Sequence, residues 1–478
     1  MSAPRHLVIV GGGIGGLSLA HQVLEQARAA AQPWQVTVLE ARPQWGGVIR
    51  TVAQDGFVVE GGPDSVLAFK PAAVQLWRAL GLDADIVGTD PRHKGAFVYA
   101  RGALHPLPEG LTLMIPGRLG PLFRTRLLSW KGKLRAALDL FPRRVAQGQD
   151  DISVAAFIAG HLGPEVLHYI VEPLFAGIYA GDARRLSLAA TYPQLLELER
   201  RYGSLLWGLL AMRRAARRPR RGRGSAFVTL RQGLAQGVRA LVEGLRERAR
   251  LEAGVEVQAV EPTGRGQWRV RTAQGDLTVH AVALALPAWQ AARLTAAWAP
   301  DLAAALDAVP YASTATVSLA YRAEQVAHPM PGYGFVVPRV EGRPLLAGTW
   351  TSRKFPHRAP QGWVLMRLFF GRAGDDAIAQ ASEAELLAVA RAQLADIMGL
   401  RAEPQRAWVF RWQRVLPQYE VGHRQRVARI RALAAAHPGL HLLSNAWDGV
   451  GIPDRIAAAT RMAARIVGRG DPAGRPPR

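Results

Sequence analysis

The 478-residue sequence contains no cysteine. Disulfides, thiolate metal sites and a cysteine nucleophile are therefore excluded, and a cytosolic location suits the chain without being required by it. Long apolar runs are missing as well. No stretch of about 18 uncharged apolar residues occurs, so no transmembrane helix is expected. Met1 to His6 lead into an apolar strand too quickly for a signal peptide. Acidic residues are scarce, 37 against 60 Lys and Arg, for a formal charge of +23. That deficit implies attraction to polyanions such as nucleic acid, anionic lipid or an acidic ligand. Most of the surplus is Arg spread along the chain, and no nucleic-acid-binding module gathers it, so nucleic acid is not an expected partner. Catalytic constellations are lacking too: there is no Ser-His-Asp arrangement, no His cluster at metal spacing and no HExxH. No metal is expected, and a cofactor must carry the chemistry.

Glycine is plentiful, with 49 residues, and its first cluster organises the chain. Leu7 to Val10 reads as a buried parallel strand running into Gly11-Gly12-Gly13-Ile14-Gly15-Gly16. A helical pattern follows with Leu17, Ala20, Leu24 and Ala27 on one face, and a second apolar run, Val36 to Leu39, ends at Glu40. Strand, glycine turn, helix, strand and acid together form the dinucleotide-binding fingerprint. Gly11 allows the tight turn, Gly13 lets the backbone approach a pyrophosphate, and Gly16 lets the helix pack closely. The helix N-terminus offers unpaired N–H groups to phosphates. Glu40, 24 residues beyond Gly16, is placed to accept hydrogen bonds from ribose hydroxyls. An ADP group is the expected ligand, and the turn alone does not choose between FAD and NAD.

Two more glycine pairs make that choice. Gly46-Gly47 precedes Val48, and Gly61-Gly62 precedes Pro63 and Asp64. A flavin is longer than the ADP half it shares with NAD and needs further close backbone approach, so FAD is expected. Helices are expected over Lys70–Leu82, Leu127–Phe141 (basic and amphipathic), Ile152–His161 and Leu230–Leu251, with a short strand at Gly254–Val257 and an apolar one from Val282 to Pro287. Tyr202 to Met212 is eleven uncharged residues, read as a core helix with an interfacial one as the alternative. Arg213 to Gly224 holds seven Arg and reads as a solvated loop. Alternation at Ala315, Val317, Leu319 and Tyr321, with apolar runs at 335–337, 345–350 and 364–370, predicts an antiparallel sheet walling a pocket. A helix from Glu383 to Met398 follows. Ser444 to Asp454 opens a helix reaching about Val467, with Pro453 at its first position and Asp454 in its first turn.

This order of motifs resembles the FAD-dependent amine-oxidase-like superfamily and, within it, the protoporphyrinogen oxidase family, from Leu7 to about Val467. The resemblance is carried by Phe57 to Leu67, Gly102 to Gly110, Leu174 to Asp182 with Leu186-Ser187-Leu188, Trp408 to Val415 with Pro417-Gln418-Tyr419, and Ser444 to Asp454. The family's first glycine-pair motif is partly met: Glu40, Gly46 and Gly47 match, but Gln44 stands where Arg is usual, with Arg42 two residues away.

The resemblance implies an α/β fold. A Rossmann-like FAD-binding domain spans 1–89, 227–307 and 425–478; a substrate domain with a mostly antiparallel sheet spans 308–424; and an inserted helical subdomain, 90–226, carries the Arg-rich loop 213–224. In the family that subdomain is linked with membrane contact or substrate entry. Implied FAD contacts are Gly11, Gly12, Gly13, Ile14, Gly15, Gly16, Glu40, Ala41, Gly46, Gly47, Val48, Gly61, Gly62, Pro63 and Asp64. Val257 is implied at the adenine end, and Trp412, Asn445, Val450, Gly451 and Ile452 complete the set. The implied reaction is six-electron oxidation of protoporphyrinogen IX in haem biosynthesis, with dioxygen as acceptor and hydrogen peroxide as by-product. Coproporphyrinogen III is the alternative substrate, and a sister amine oxidase or carotenoid desaturase the rival activity. Gly177, Ala320, Val336 and Trp350 are implied to line the substrate pocket, with Lys70 and Arg101 for its propionates; Ala96 replaces an Arg that some relatives use. No catalytic side chain is assigned. A cytoplasmic enzyme is expected, with a homodimer, contact with the inner face of the cell membrane, and a quinone in place of dioxygen left open.

Overall fold

The computed structural model describes residues 4–116, 119–215, 225–264, 266–375 and 377–468. The Arg-rich segment beyond residue 215 and the tail from 469 lie outside the described residues. At the centre is a five-stranded parallel sheet ordered Arg250–Ala253, Trp34–Glu40, Arg5–Val10, Ala281–Leu284, Leu440–Leu442. Leu7 and Ile9 enter the core on one face, Val8 and Val10 the core on the other. Burial on both faces is why this strand reads as an unbroken apolar run. The first face is covered by helices Ile14–Ala29 and Ile452–Ile466, packed on each other. The second carries the meander Val257–Pro262, Trp268–Thr272, Gly275–Val279 and helices Ala288–Thr295 and Pro300–Asp307.

The expected helix Leu230–Leu251 is shorter. Phe227–Leu230 is a strand between Val66–Leu67 and Ile86–Gly88, Gly233 turns the chain at φ +89°, and only Ala235–Leu245 is helical. Arg250–Ala253 is then drawn into the parallel sheet beside Trp34–Glu40. Pairing partners distant in sequence override the helical pattern at both ends. Gly254, at φ +77°, turns the chain where a strand was expected to begin, and the next strand starts at Val257.

A second, seven-stranded sheet is ordered Arg406–Pro417, Tyr311–Arg322, Trp363–Phe370, Leu345–Thr349, Gly334–Val336, Phe97–Ala100, Ala103–Pro106. All its neighbours are antiparallel except Gly334–Val336 with Phe97–Ala100. The hairpin from 97 to 106 therefore belongs to this sheet, although it falls in the segment expected to be helical. One face buries Val317, Leu319 and Phe370 under Leu386, Ala390 and Leu394 of helix Glu383–Met398. The helical part has its own core, including Phe157, Ile170, Phe175, Leu195 and Leu209. Within it His161 is fully buried, its ring nitrogens 2.5 Å from Asp139 and 3.0 Å from Glu199. The expected helix over 127–141 is confined to Trp130–Ala137 and a tighter turn at Leu138–Leu140, because the Ser129 hydroxyl caps it by accepting from Gly132 N–H. The apolar stretch at 202–212 forms helix Leu205–Ala215, with Leu205, Leu206 and Leu209 buried and Trp207 and Met212 exposed.

Candidate functional site

A cavity of about 1630 Å³ is walled by both sheets and the helical part. The fingerprint turn is built as its residue types demand. Gly11 has φ +109°, and a Cβ there would lie 2.5 Å from the Ala285 carbonyl oxygen. A Cβ on Gly16 would lie 2.0 Å from the Gly11 oxygen, so this glycine serves helix packing and does not line the cavity. Gly12 also stands behind the wall, donating its N–H to Glu40 Oε2 at 2.8 Å. Gly11, Gly13, Ile14 and Gly15 face the cavity. Gly13 caps helix Ile14–Ala29 with no side chain over it, and Gly451 does the same for Ile452–Ile466. First-turn N–H groups of a helix lack intrahelical partners. Two packed helices thus present positive dipole ends at the same wall, where Val450, Gly451 and Ile452 also lie.

Glu40 and Ala41 line the cavity together with Val257. The remaining Glu40 oxygen accepts from Arg42 N–H at 3.1 Å and Arg42 Nε at 3.3 Å, so Arg42 fastens the acid although Gln44 stands at the usual Arg position. Gly46, Gly47 and Val48 lie opposite the fingerprint, where Gly13 and Gly46 form an isolated bridge. Gly61, Gly62 and Pro63 form a further stretch of wall beside Trp412 and Asn445. The Gly61 carbonyl accepts from Trp412 Nε1 at 2.8 Å, Thr316 Oγ1 at 3.1 Å and Arg367 Nη2 at 3.1 Å. Asp64 does not reach the cavity. Its burial would raise its carboxyl, but Lys354, 2.9 Å away, and Arg367 hold it well below the usual carboxylate range.

Of the residues expected around a substrate, Gly177 and Lys70 line the cavity. Lys70 Nζ is paired with Asp454 at 2.7 Å. The other four are elsewhere. Arg101, at φ +53°, donates its backbone N–H to Glu341 and stacks over Tyr169. Trp350 is 1% exposed among Phe97, His328 and Phe335. Val336 packs against the helical core. Ala320 lies beyond Thr314 and Thr316 on the same face of its strand, under Phe57 and Val59. For Ala320, Val336 and Trp350, strand alternation identified a buried face but not how far the cavity extends along it. The cavity is instead lined by Ala176, Ile178, Ala180, Leu346 and Phe369, and by Arg367, which sequence reasoning missed. An Arg inside the apolar run Val364–Phe370 was the available signal.

This donor set suits FAD. A Cβ on Gly13 would meet no protein atom nearer than Gly47 Cα at 3.9 Å, so the space beside it belongs to the cavity. A long channel with two helix N-termini, an acid at Glu40 and a second glycine turn is the cradle a flavin dinucleotide requires. The model of the family described as flavin containing amine oxidoreductase matches residues 14–467. The chain belongs to that family. It has the flavin amine-oxidase fold, is an oxidoreductase and takes FAD as its cofactor. It is 35% identical over 463 residues to a coproporphyrinogen III oxidase of Bacillus subtilis (strain 168), covering 95% of this chain and 96% of that one. It is 31% identical to a protoporphyrinogen oxidase of Bos taurus, covering 97% and 98%. The crystal structure of a protein from Exiguobacterium sp. 255-15, described provisionally as a protoporphyrinogen oxidase, superposes with a TM-score of 0.86 at 34% identity, covering 98% of this chain and 99% of that one.

Proposed function

We propose that this flavoenzyme oxidises a porphyrinogen to the porphyrin in haem biosynthesis. The observation that carries the reading is the end-to-end match, at 35% identity, to an enzyme named for that reaction. Bound FAD supplies hydride acceptance, and three two-electron rounds with three dioxygen molecules give the porphyrin and three hydrogen peroxides. The residues bind, orient and exclude water. N–H groups at Gly13–Gly15 and Gly451–Ile452 meet the negative charge of the dinucleotide, Glu40 takes the ribose hydroxyls, and Val257 borders the adenine. Gly61–Pro63 and the Trp412 side present the ring end. Ala176, Gly177, Ile178, Ala180, Leu346 and Phe369 form the apolar compartment for the macrocycle. Lys70 meets a propionate by exchanging it for Asp454. The chain's division at residues 227, 308 and 425 remains part of this reading, and the helical insertion begins after the hairpin at 97–106 rather than at residue 90.

Protoporphyrinogen IX is the first substrate reading. Coproporphyrinogen III is favoured by the name of the Bacillus relative, at 35% identity against 31% for the bovine protoporphyrinogen oxidase. Anaerobic mixing of the FAD-loaded protein with each porphyrinogen tests both: flavin absorbance should bleach, faster with the true substrate. If neither bleaches it, the proposal fails. Admitting oxygen should restore the absorbance with stoichiometric peroxide; restoration by a quinone alone would replace dioxygen as acceptor.

Among the described residues no helix is long and apolar enough to cross a membrane. Peripheral contact by a cytoplasmic enzyme is supported by Trp130, Leu134, Leu138 and Phe141, all exposed on one short segment with Lys131 and Arg144, and by Trp207, whose Nε1 donates to Leu140 O at 3.0 Å. Basic amphipathic segments with exposed tryptophan favour anionic interfaces. Co-sedimentation with anionic but not neutral vesicles is expected; equal partition with both would remove this part of the reading.

A further inference from the structure

Behind the wall formed by Gly61, Gly62 and Pro63 lies a cluster of ionised side chains that binding and catalysis as described above leave unused. Arg358, Arg367 and Lys354 are all buried there. Two carboxylates accompany them. Glu60 pairs with Arg358 at 3.0 Å and Asp64 with Lys354 at 2.9 Å. Arg367, only 3% exposed, is paired with no carboxylate among the described residues. Its Nη2 donates to the carbonyls of Gly61 and Gly62, and its buried Nε has no hydrogen-bond partner. Arg367 itself lines the cavity, over the ring of Phe369 at 4.6 Å. Glu60 is already occupied by Thr51 Oγ1, Leu234 N–H and Arg358, and burial raises its carboxyl. Glu60 and Asp64 attract Arg367 from a distance, but two carboxylates stand against three cations. Burial lowers Arg367 to about 10, which leaves it charged at neutral pH. The cluster therefore carries a surplus of positive charge in a place where little water screens it.

An unmatched buried cation is costly and persists where something else benefits from it. We propose that Arg367 is a positioning residue that sets the flavin's reduction potential, its unpaired charge stabilising the negative charge that FAD acquires on reduction. The inference rests on the FAD reading above and on the flavin ring lying beside the turn Gly61–Pro63. Its logic is electrostatic: a fixed cation near the ring favours the reduced, anionic cofactor and raises the potential, which drives electron withdrawal from the substrate. The three donors on Gly61 hold the turn, but only Arg367 among them brings charge. A structural role for the guanidinium would be shared by neutral donors, whereas an electrostatic role would not.

The test is the midpoint potential of the FAD-loaded protein, read anaerobically against a reference dye, together with the flavin absorbance spectrum. Arg367→Gln should shift the two-electron equilibrium at least tenfold toward the oxidised flavin, about 30 mV downward. Arg367→Lys should stay within about threefold of the parent, as should Thr316→Val, which deletes a neutral donor to the same carbonyl. Asp64→Asn, which removes a negative charge, should shift the equilibrium the opposite way. An unchanged potential in Arg367→Gln would overturn the proposal, as would shifts of the same sign in Arg367→Gln and Asp64→Asn. Should Arg367→Gln fail to retain FAD, the Asp64→Asn protein decides, and a potential that falls or stays level rejects the idea. A parent protein that binds FAD but is not reduced by any porphyrinogen would defeat the substrate reading while leaving this measurement intact.

Discussion

Trp412 Nε1 donates to the carbonyl of Gly61 across 2.8 Å, joining residues 351 positions apart. The tryptophan comes from the edge strand of the seven-stranded sheet, the glycine from the turn after the strand Phe57–Glu60. With Thr316 and Arg367 of the same sheet, this hydrogen bond ties the two halves of the cavity wall together. Trp412→Phe keeps the ring but removes the donor, a loss of about 1 kcal/mol. FAD should bind about fivefold more weakly, measured by flavin fluorescence titration of the apoprotein. Unchanged affinity would show that Thr316 and Arg367 hold the turn without it.

Gly13 and Gly16 should separate binding from folding. Gly16→Ala places a Cβ against the Gly11 carbonyl, and overpacking of this kind costs about 1–3 kcal/mol. Its thermal midpoint should fall with or without FAD. Gly13→Ala meets only Gly47 Cα at contact distance, so the apoprotein should melt like the parent while FAD affinity drops tenfold or more. Equal thermal losses in the two variants would refute this division.

The buried His161 bridge to Asp139 and Glu199 is predicted to be structural. Removing the imidazole leaves two carboxylates facing each other out of water, a loss of about 3–5 kcal/mol. His161→Ala should lower the urea midpoint strongly, and its residual folded fraction should bind FAD as tightly as the parent. A fall in FAD affinity alone, with the midpoint intact, would contradict it.

Two histidines, His423 buried and His441 half-buried, predict an acid limb to stability. Burial pushes His423, stacked on Tyr419 at 4.3 Å, down to about 4, and His441 likewise to about 4. Between the ordinary value of 6.5 and 4 the unfolded chain takes up protons that the folded chain refuses. Stability is then complete above pH 6.5 and falls as pH drops toward 4, by up to about 1.4 kcal/mol per pH unit for each residue. Urea midpoints at pH 7, 6 and 5 should decline, and His423→Gln should flatten the slope. A level profile in the parent would show that neither histidine titrates this way.

The nucleotide half of the fold was legible because its signals are local. Gly11, Gly16 and Glu40 lie within one strand–helix–strand unit. The closest constraints on Gly16 and Glu40 come from neighbours in that unit, and Gly11, pressed by Ala285 from a distant strand, is still recognisable by its place in the turn. The antiparallel sheet was visible through the alternation at Ala315–Tyr321. Its full width was not, since the hairpin at 97–106 joins through a pairing with Phe335 and Val336 that no local pattern announces. The candidate site followed the same division. Glycines and helix starts could be read directly, but Arg101 and Trp350 failed because a residue's type does not tell which of several cavities or cores it meets. Arg367 was missed because an apolar strand hid the one position where a charge faces inward.

Ile14–Ala29 is the first helix of the described chain and Ile452–Ile466 the last, yet their N-termini stand side by side at one wall. A ribosome completes the first more than four hundred residues before the second. The early helix can fold on its strand at once, but the dinucleotide groove has only half its positive ends until synthesis is nearly done. The complete dinucleotide groove therefore exists only once a helix from each end of the fold has been packed against the other.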